Sequence, residues 1–238
     1  MNKQPLLAKD AGFSLFELII AMTITLVLMG LASALIASAF SVRKREDQHT
    51  DALADVQRGL NIMSREIAIS GFNLSNNGIV TGDSDATSIR IRANLNKYDT
   101  SVSEQARSGI GLESEDKGED IKYFLNDAGF TKYLVRYDRY ASQSPEDQRT
   151  SVLANRIDSL RIHYFDRKVT YTTTDCDISN PSQAELATTD LAQAKYVVIG
   201  ACVRLEALGT PGRSGYQPAQ SVLLVSDVAL RRANLRTY

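Results

Sequence analysis

Residues 12–40 read GFSLFELIIAMTITLVLMGLASALIASAF, and this stretch decides the fold. Its one ionisable side chain is Glu17, four residues after Phe13. From position 18 to position 40 there are 23 residues with neither a charge nor a proline. At about 1.5 Å per helical residue this run is roughly 34 Å long, enough to cross the hydrocarbon core of a bilayer. A carboxylate beside such a span is costly unless something neutralises it. Upstream lies a short polar leader, MNKQPLLAKDAG, with Lys3 and Lys9, ending at Gly12. Ordinary secretory signals place their small-residue cleavage site after the apolar region. Here the small-residue junction precedes it. Cutting between Gly12 and Phe13 leaves the apolar helix on the protein, with a free amine one turn from Glu17.

Glycine, then an aromatic first residue, then glutamate as the fifth, then a long apolar helix: this combination resembles the class III signal of type IV pilins and type II secretion pseudopilins. The resemblance implies that 1–12 is a prepilin leader peptide removed by a prepilin peptidase, with N-methylation of Phe13. It implies that 13–40 is a transmembrane and later filament-core helix, and that Glu17 acts in subunit assembly by meeting the N-terminal amine of a neighbour. It also implies a single-pass inner-membrane protein with a periplasmic C-terminal domain, which passes to the pilus and cell surface. Two plainer readings stay open. The stretch fits a signal anchor with Glu17 at its cytoplasmic edge. It fits a buried core helix less well, because about 10–14 apolar residues suffice there. The hydroxyls of Thr23, Thr25, Ser33 and Ser38 are compatible with a span, since each can bond a carbonyl one turn back. Gly30 permits close approach of another helix in either a membrane or a filament.

The full chain has 238 residues, with 27 Lys and Arg against 28 Asp and Glu, a net charge of −1. No global basic field of the kind nucleic-acid binders carry is present. Arg43, Lys44 and Arg45 follow the apolar run directly and favour a cytoplasmic location for that end, while Lys3 and Lys9 favour it for the other. Charge alone leaves orientation open, and the pilin resemblance sets the N-terminus inside. The two cysteines, Cys176 and Cys202, both fall in the part expected to be exported. An oxidising compartment favours a disulfide, and two unpaired thiols remain the alternative. Two thiols with only His49 and His163 in the chain make no zinc spacing, so no metal site is expected.

Beyond position 40, Leu53, Val56, Leu60, Met63 and Ile67 recur at helical spacing and predict an amphipathic continuation, with Gly59 a mild weak point and Gly71 a terminator. One helix over 13 to about 70 follows. Residues 73–85 read as turn-rich loop. Ile89 and Ile91 alternate with arginines in a strand over 87–93, and polar residues 94–120, acidic over 113–120, read as a mobile surface loop. Runs 121–125 and 132–137 flank a turn sequence and predict a hairpin. The imperfect alternation of Ile157, Leu160, Ile162 and Tyr164 suggests a helical or turn segment leading into a strand. A polar loop holds Cys176, 182–193 reads as a short helix, and Tyr196–Leu205 and 222–230 close the sheet. The fold class is α+β and pilin-like: one long N-terminal helix, transmembrane in its first half and amphipathic in its second, on an antiparallel sheet. The exported part is 41–238.

No catalytic constellation is visible, and neither an enzyme activity nor a cofactor is expected. His49 falls on a charged helix face and His163 points from a strand, neither near a nucleophile motif. Asp83, Ser84, Asp85 and the acidic 113–120 run lack EF-hand spacing. Arg90, Arg92, Arg136 and Arg139 offer a small basic patch, without the continuous groove a single-strand platform needs. Residues 65–72, REIAISGF, resemble the helix end of PilW-type minor pilins, and 153–166, LANRIDSLRIHYFD, resemble a strand region shared with J-type pseudopilins. The resemblance therefore implies a minor pilin that takes part in pilus assembly or initiation at the tip. The implied partners are the prepilin peptidase, other minor pilins, the major pilin, the inner-membrane assembly platform and membrane lipid. A J-type pseudopilin is the alternative, and a non-polymerising anchored binding domain a further one.

Overall fold

The computed structural model describes residues 14–74, 76–95, 117–127, 132–141, 149–205, 207, 209, 211–212 and 216–231. Its helix α1 spans Leu15–Ala68, 54 residues. The chain divides into two compact units, Met1–Asp47 and Gln48–Tyr238. In the second, α1 buries Ala52, Val56, Leu60, Met63 and Ile67 on one face, with Leu53 half-buried beside them. This is the apolar stripe expected from helical spacing, with Ala52 added beside Leu53. Gly59 is also buried, so its low helix propensity is accompanied by a packing role. A Cβ there would sit 3.0 Å from Leu134 Cδ2 and 3.5 Å from Leu153 Cβ, so its bare backbone admits the sheet.

The helix ends in a turn built on two glycines. Gly71 has φ +75° and donates to Arg92 O at 2.8 Å, while Arg92 donates back to Gly78 O at 2.7 Å. Gly78 has φ +78°, and a Cβ there would lie 2.2 Å from Gly71 N. Only glycine fits both the left-handed backbone and the contact. The expected terminator therefore also fastens the helix end to the first strand.

Among the described residues the strands form three antiparallel sheets rather than the single one expected. The first has the order β1 (Ser88–Arg92), β2 (Asp120–Asn126), β3 (Tyr133–Asp138), β4 (Thr150–Asn155). The second has the order β5 (Ile157–Phe165), β8 (Tyr196–Leu205), β9 (Gln220–Ala229), and β6 (Thr172–Thr174) pairs with β7 (Asp177–Ser179) in a ribbon. The break between the first two sheets falls at Arg156, whose φ of +60° interrupts the extended chain between β4 and β5. Strand β4 and the ribbon were not expected: β4 is exposed at Thr150, Ser151 and Val152 and so lacks a full apolar alternation. The segment 157–165 is strand throughout. A register shift between Ile157 and Ser159 absorbs the odd step between Ile157 and Leu160, so both side chains join Ile162 and Tyr164 in the core. Over 182–193 the structure forms only a 3₁₀ turn at Thr188–Gln193.

Strand β8 is apolar on both faces because both are covered. Val197, Ile199, Ala201 and Val203 join the helix stripe in the main core. Val198 and Tyr196 face a second cluster with Phe165, Val169 and Ile178. The end of the acidic 113–120 run is likewise not a solvated loop. Glu119 and Asp120 are 2% and 1% exposed, and Asp120 opens β2. The remainder of that expectation, over 96–116, lies outside the described residues.

Candidate functional site

The first turn of α1 carries the candidate assembly residue. Ser14 precedes the helix, and its carbonyl accepts from the backbone N–H of Glu17 at 3.0 Å and Leu18 at 3.2 Å. Ser14 thus occupies the N-cap and Glu17 the third helical position, the S-x-x-E spacing of a capping box. This local signal is a second reason for serine and glutamate here, unnoticed in the sequence reading. A carboxylate in the first turn is also favoured by the helix dipole. Gly12 and Phe13, the expected cleavage and methylation positions, lie outside the described residues.

From Leu15 to Phe40 the apolar side chains are exposed, for example Leu26 at 67% and Leu35 at 73%. The helix is long and apolar enough to cross a membrane, and none of its most apolar 18-residue window is buried within the chain. Thr23 and Thr25 donate to Ile20 O and Ala21 O, and Ser33 donates to Met29 O, at 2.7–2.8 Å. These hydroxyls are satisfied inside the helix, as a lipid or filament setting requires.

In the second unit, Cys176 and Cys202 are joined as a disulfide with Cα atoms 5.2 Å apart. Cys202 lies on central β8, and Cys176 sits at the tip of the β6–β7 ribbon rather than in an irregular loop. His163, on β5, is flanked by Glu185 Oε2 and Asp177 Oδ1, each 3.1 Å from a ring nitrogen. Burial opposes its charge, but the two carboxylates prevail and raise its pKa above the usual histidine value. No nucleophile is among these contacts.

Three of the four arginines of the suggested basic patch are neutralised. Arg90 is clamped by Asp120, with Nε at 2.7 Å from Oδ1, and also meets Asp83. Arg92 shares Asp120 at 3.1 Å, and Arg136 bonds Glu66 at 3.0 Å. Arg139 packs over the Tyr140 ring. The chain therefore presents charge-paired structure at these positions, not a phosphate-tracking surface. His49 also departs from expectation: it is half-buried, and its Nε2 is enclosed without a hydrogen-bond partner. Among the described residues no group of three or more His, Cys, Asp or Glu side chains is placed to hold a metal ion.

A prokaryotic N-terminal methylation motif matches residues 7–33. No curated protein and no solved structure matches the chain. The match covers the Gly12–Phe13 junction, Glu17 and about the first two thirds of the apolar run. Together with a long helix that is apolar in its first part and packs its amphipathic second part on antiparallel sheets, it supports a type IV pilin-like or pseudopilin-like structural subunit.

Proposed function

We propose that the protein is a PilW-type minor pilin that takes part in initiating type IV pilus assembly, at the filament tip. The methylation motif over 7–33 supports the pilin-like or pseudopilin-like part of this reading, and the likeness of residues 65–72 to the helix end of PilW-type minor pilins is what favours its finer part. On it, residues 1–12 are a leader cut by prepilin peptidase after Gly12, the Phe13 amine is methylated, and 41–238 is periplasmic. Residues 13–40 store the subunit in the inner membrane until it joins other minor pilins, the major pilin and the assembly platform. Transfer from lipid to a bundle of neighbouring helices costs little for the apolar residues, since both surroundings are apolar. It is Glu17 that makes the transfer selective. Its charge lacks a partner in lipid, and the Phe13 amine of an adjacent subunit supplies one, fixing axial register.

The test has two parts. Gly12→Val is expected to leave full-length precursor in the membrane, because a side chain there blocks the peptidase's approach to the backbone. Normal maturation of that variant overturns the processing assignment. Deleting the gene is expected to abolish surface filaments, with restoration by the wild-type chain. Loss of exoprotein secretion with filaments intact instead assigns the chain to the tip of a secretion pseudopilus, as a J-type pseudopilin.

A further inference from the structure

The β6–β7 ribbon is a flap on the outer face of the second sheet, and its attachments are few. Its base is closed by Thr170 and Ser182: Ser182 N donates to Thr170 O at 2.8 Å, and Thr170 N to Ser182 Oγ at 3.0 Å. Its tip is the two-residue turn Asp175–Cys176, with φ +41° and +70°. Both residues are left-handed, the pattern of a turn that prefers Asn-Gly, so cysteine at the second place is locally disfavoured. Thr172, Thr173 and Thr174 are all exposed, and from the two strands only Ile178 enters the cluster of Phe165, Tyr196 and Val198. A two-stranded ribbon with one buried apolar side chain does not stay closed by packing.

At the base, Tyr171 packs on the cluster and donates its hydroxyl to Asp227 on β9; beyond it, two side-chain attachments hold the strands themselves. The tip is bonded covalently to central strand β8 through Cys176–Cys202. The neighbouring residue, Asp177, is held by His163 Nε2, whose Nδ1 meets Glu185 beyond the ribbon. We propose that the ribbon is a flap with two independent latches, the disulfide and the His163 bridge, and that it opens about its Thr170–Ser182 base only when the first is cut and the second weakened. Opening uncovers Phe165, Tyr196 and Val198. The inference stands on the second unit alone and does not depend on the filament reading.

The latches answer to different conditions. The disulfide is released by a dithiol, which closes to its own cyclic disulfide and leaves Cys176 and Cys202 as thiols. The bridge is weakened by base to a single hydrogen bond. Protonated His163 donates to both carboxylates, whereas neutral imidazole donates to one and leaves the other facing a lone pair. The charged groups around it are Asp177 from β7 and Glu185 from the segment after it. Its β8 neighbour is uncharged Val198, and Asp227 on β9 beyond is held by the hydroxyls of Tyr171 and Tyr196. With the folded pKa raised, the bridge is complete below the ordinary histidine value and weakened as pH rises through the higher one.

Hydrogen exchange of the full chain in detergent micelles tests this, with rates corrected for intrinsic pH dependence. Oxidised protein is expected to protect 172–179 equally at about pH 5 and about pH 8.5. After reduction by a dithiol, 172–179 should exchange about tenfold faster or more at the higher pH, with β5 and β8 still protected. At the lower pH the reduced protein should stay closed, and in reduced His163→Gln that pH difference should vanish. Unchanged protection of 172–179 on reduction at the higher pH overturns the proposal. So does loss of protection in β8 in step with the ribbon, or a pH difference that survives in His163→Gln.

Discussion

Arg136 on β3 donates from Nε to both carboxylate oxygens of Glu66 on α1, at 3.0 and 3.3 Å. Tyr123 on β2 donates its hydroxyl to the same carboxylate. One glutamate in the last turns of the helix thus gathers two strands of the first sheet. Burial above all, with the Glu66 charge adding to it, pushes the Tyr123 phenol up, so it remains a donor at any ordinary pH. Glu66→Ala takes the acceptor from the buried Tyr123 hydroxyl and leaves the Arg136 guanidinium with Asp138 alone, at 3.6 Å. We expect a loss of about 1–3 kcal/mol, read by urea unfolding of the full chain, since removing one partner exposes the desolvation cost of the others. A change within a few tenths of wild type would deny the clamp a structural part.

Leu60 is fully buried on the helix stripe, and Asp51 is exposed on the same helix. Leu60→Asp places a charge in the core without a partner and should lower stability by several kcal/mol or prevent folding of the second unit. Asp51→Ala should shift the thermal midpoint little. The two variants melting together would contradict docking of the helix on the sheets.

Asp85 closes the turn before β1. Its Oδ1 accepts from Thr87 N at 2.6 Å, Thr87 Oγ1 at 2.8 Å and Ser88 N at 2.8 Å. Burial raises its pKa, but these donors outweigh burial and hold the carboxyl below its ordinary 3.8. A depressed carboxyl contributes stability that is present above the unfolded value and lost as pH falls through the folded one. Asp85→Ala should therefore lower the midpoint near neutrality by the equivalent of about 1–2 kcal/mol. As pH falls below the ordinary carboxylate range the gap to wild type should narrow, since the wild-type carboxyl becomes protonated too. A gap independent of pH would place its origin in packing instead.

The cysteines are 26 positions apart. Constraining the unfolded chain over a loop of that length is worth about 3 kcal/mol in the chain-entropy treatment. The Cys176→Ser, Cys202→Ser double variant should fall in stability by up to that amount while keeping the β5–β8–β9 sheet. Non-reducing peptide mapping of protein from an oxidising compartment should give one cross-linked peptide. Two alkylatable thiols in the folded protein would exclude the bond.

Glu17→Ala should still insert and be cleaved after Gly12, because the apolar run is intact. On the assembly reading it should not co-purify with other minor pilins or restore filaments in a deletion strain, since an amine buried at the interface then lacks its partner, at roughly 3–5 kcal/mol. Gln at 17 keeps the capping geometry without the charge. If Glu17→Gln assembles and Glu17→Ala does not, the residue acts through the capping box. Full piliation by both would leave the glutamate with no assembly role.

The sequence by itself determined the long helix and its division into an apolar and an amphipathic part. These rest on local periodicity and on side-chain types whose solvent preference holds in any fold. It also located β1, the β2–β3 hairpin, β8 and β9, because buried strands concentrate apolar residues in short runs. Only the tertiary structure decided how the strands divide into sheets. That turns on Arg156 entering a left-handed conformation and on one register shift near Ile157, neither of which leaves a compositional trace. It alone gave Gly59 its contact with Leu134, paired Arg90 and Arg136 with distant carboxylates, and set His163 between Asp177 and Glu185. Those relationships join residues far apart in the chain, and a pattern read along the chain carries periodicity but not distance across it.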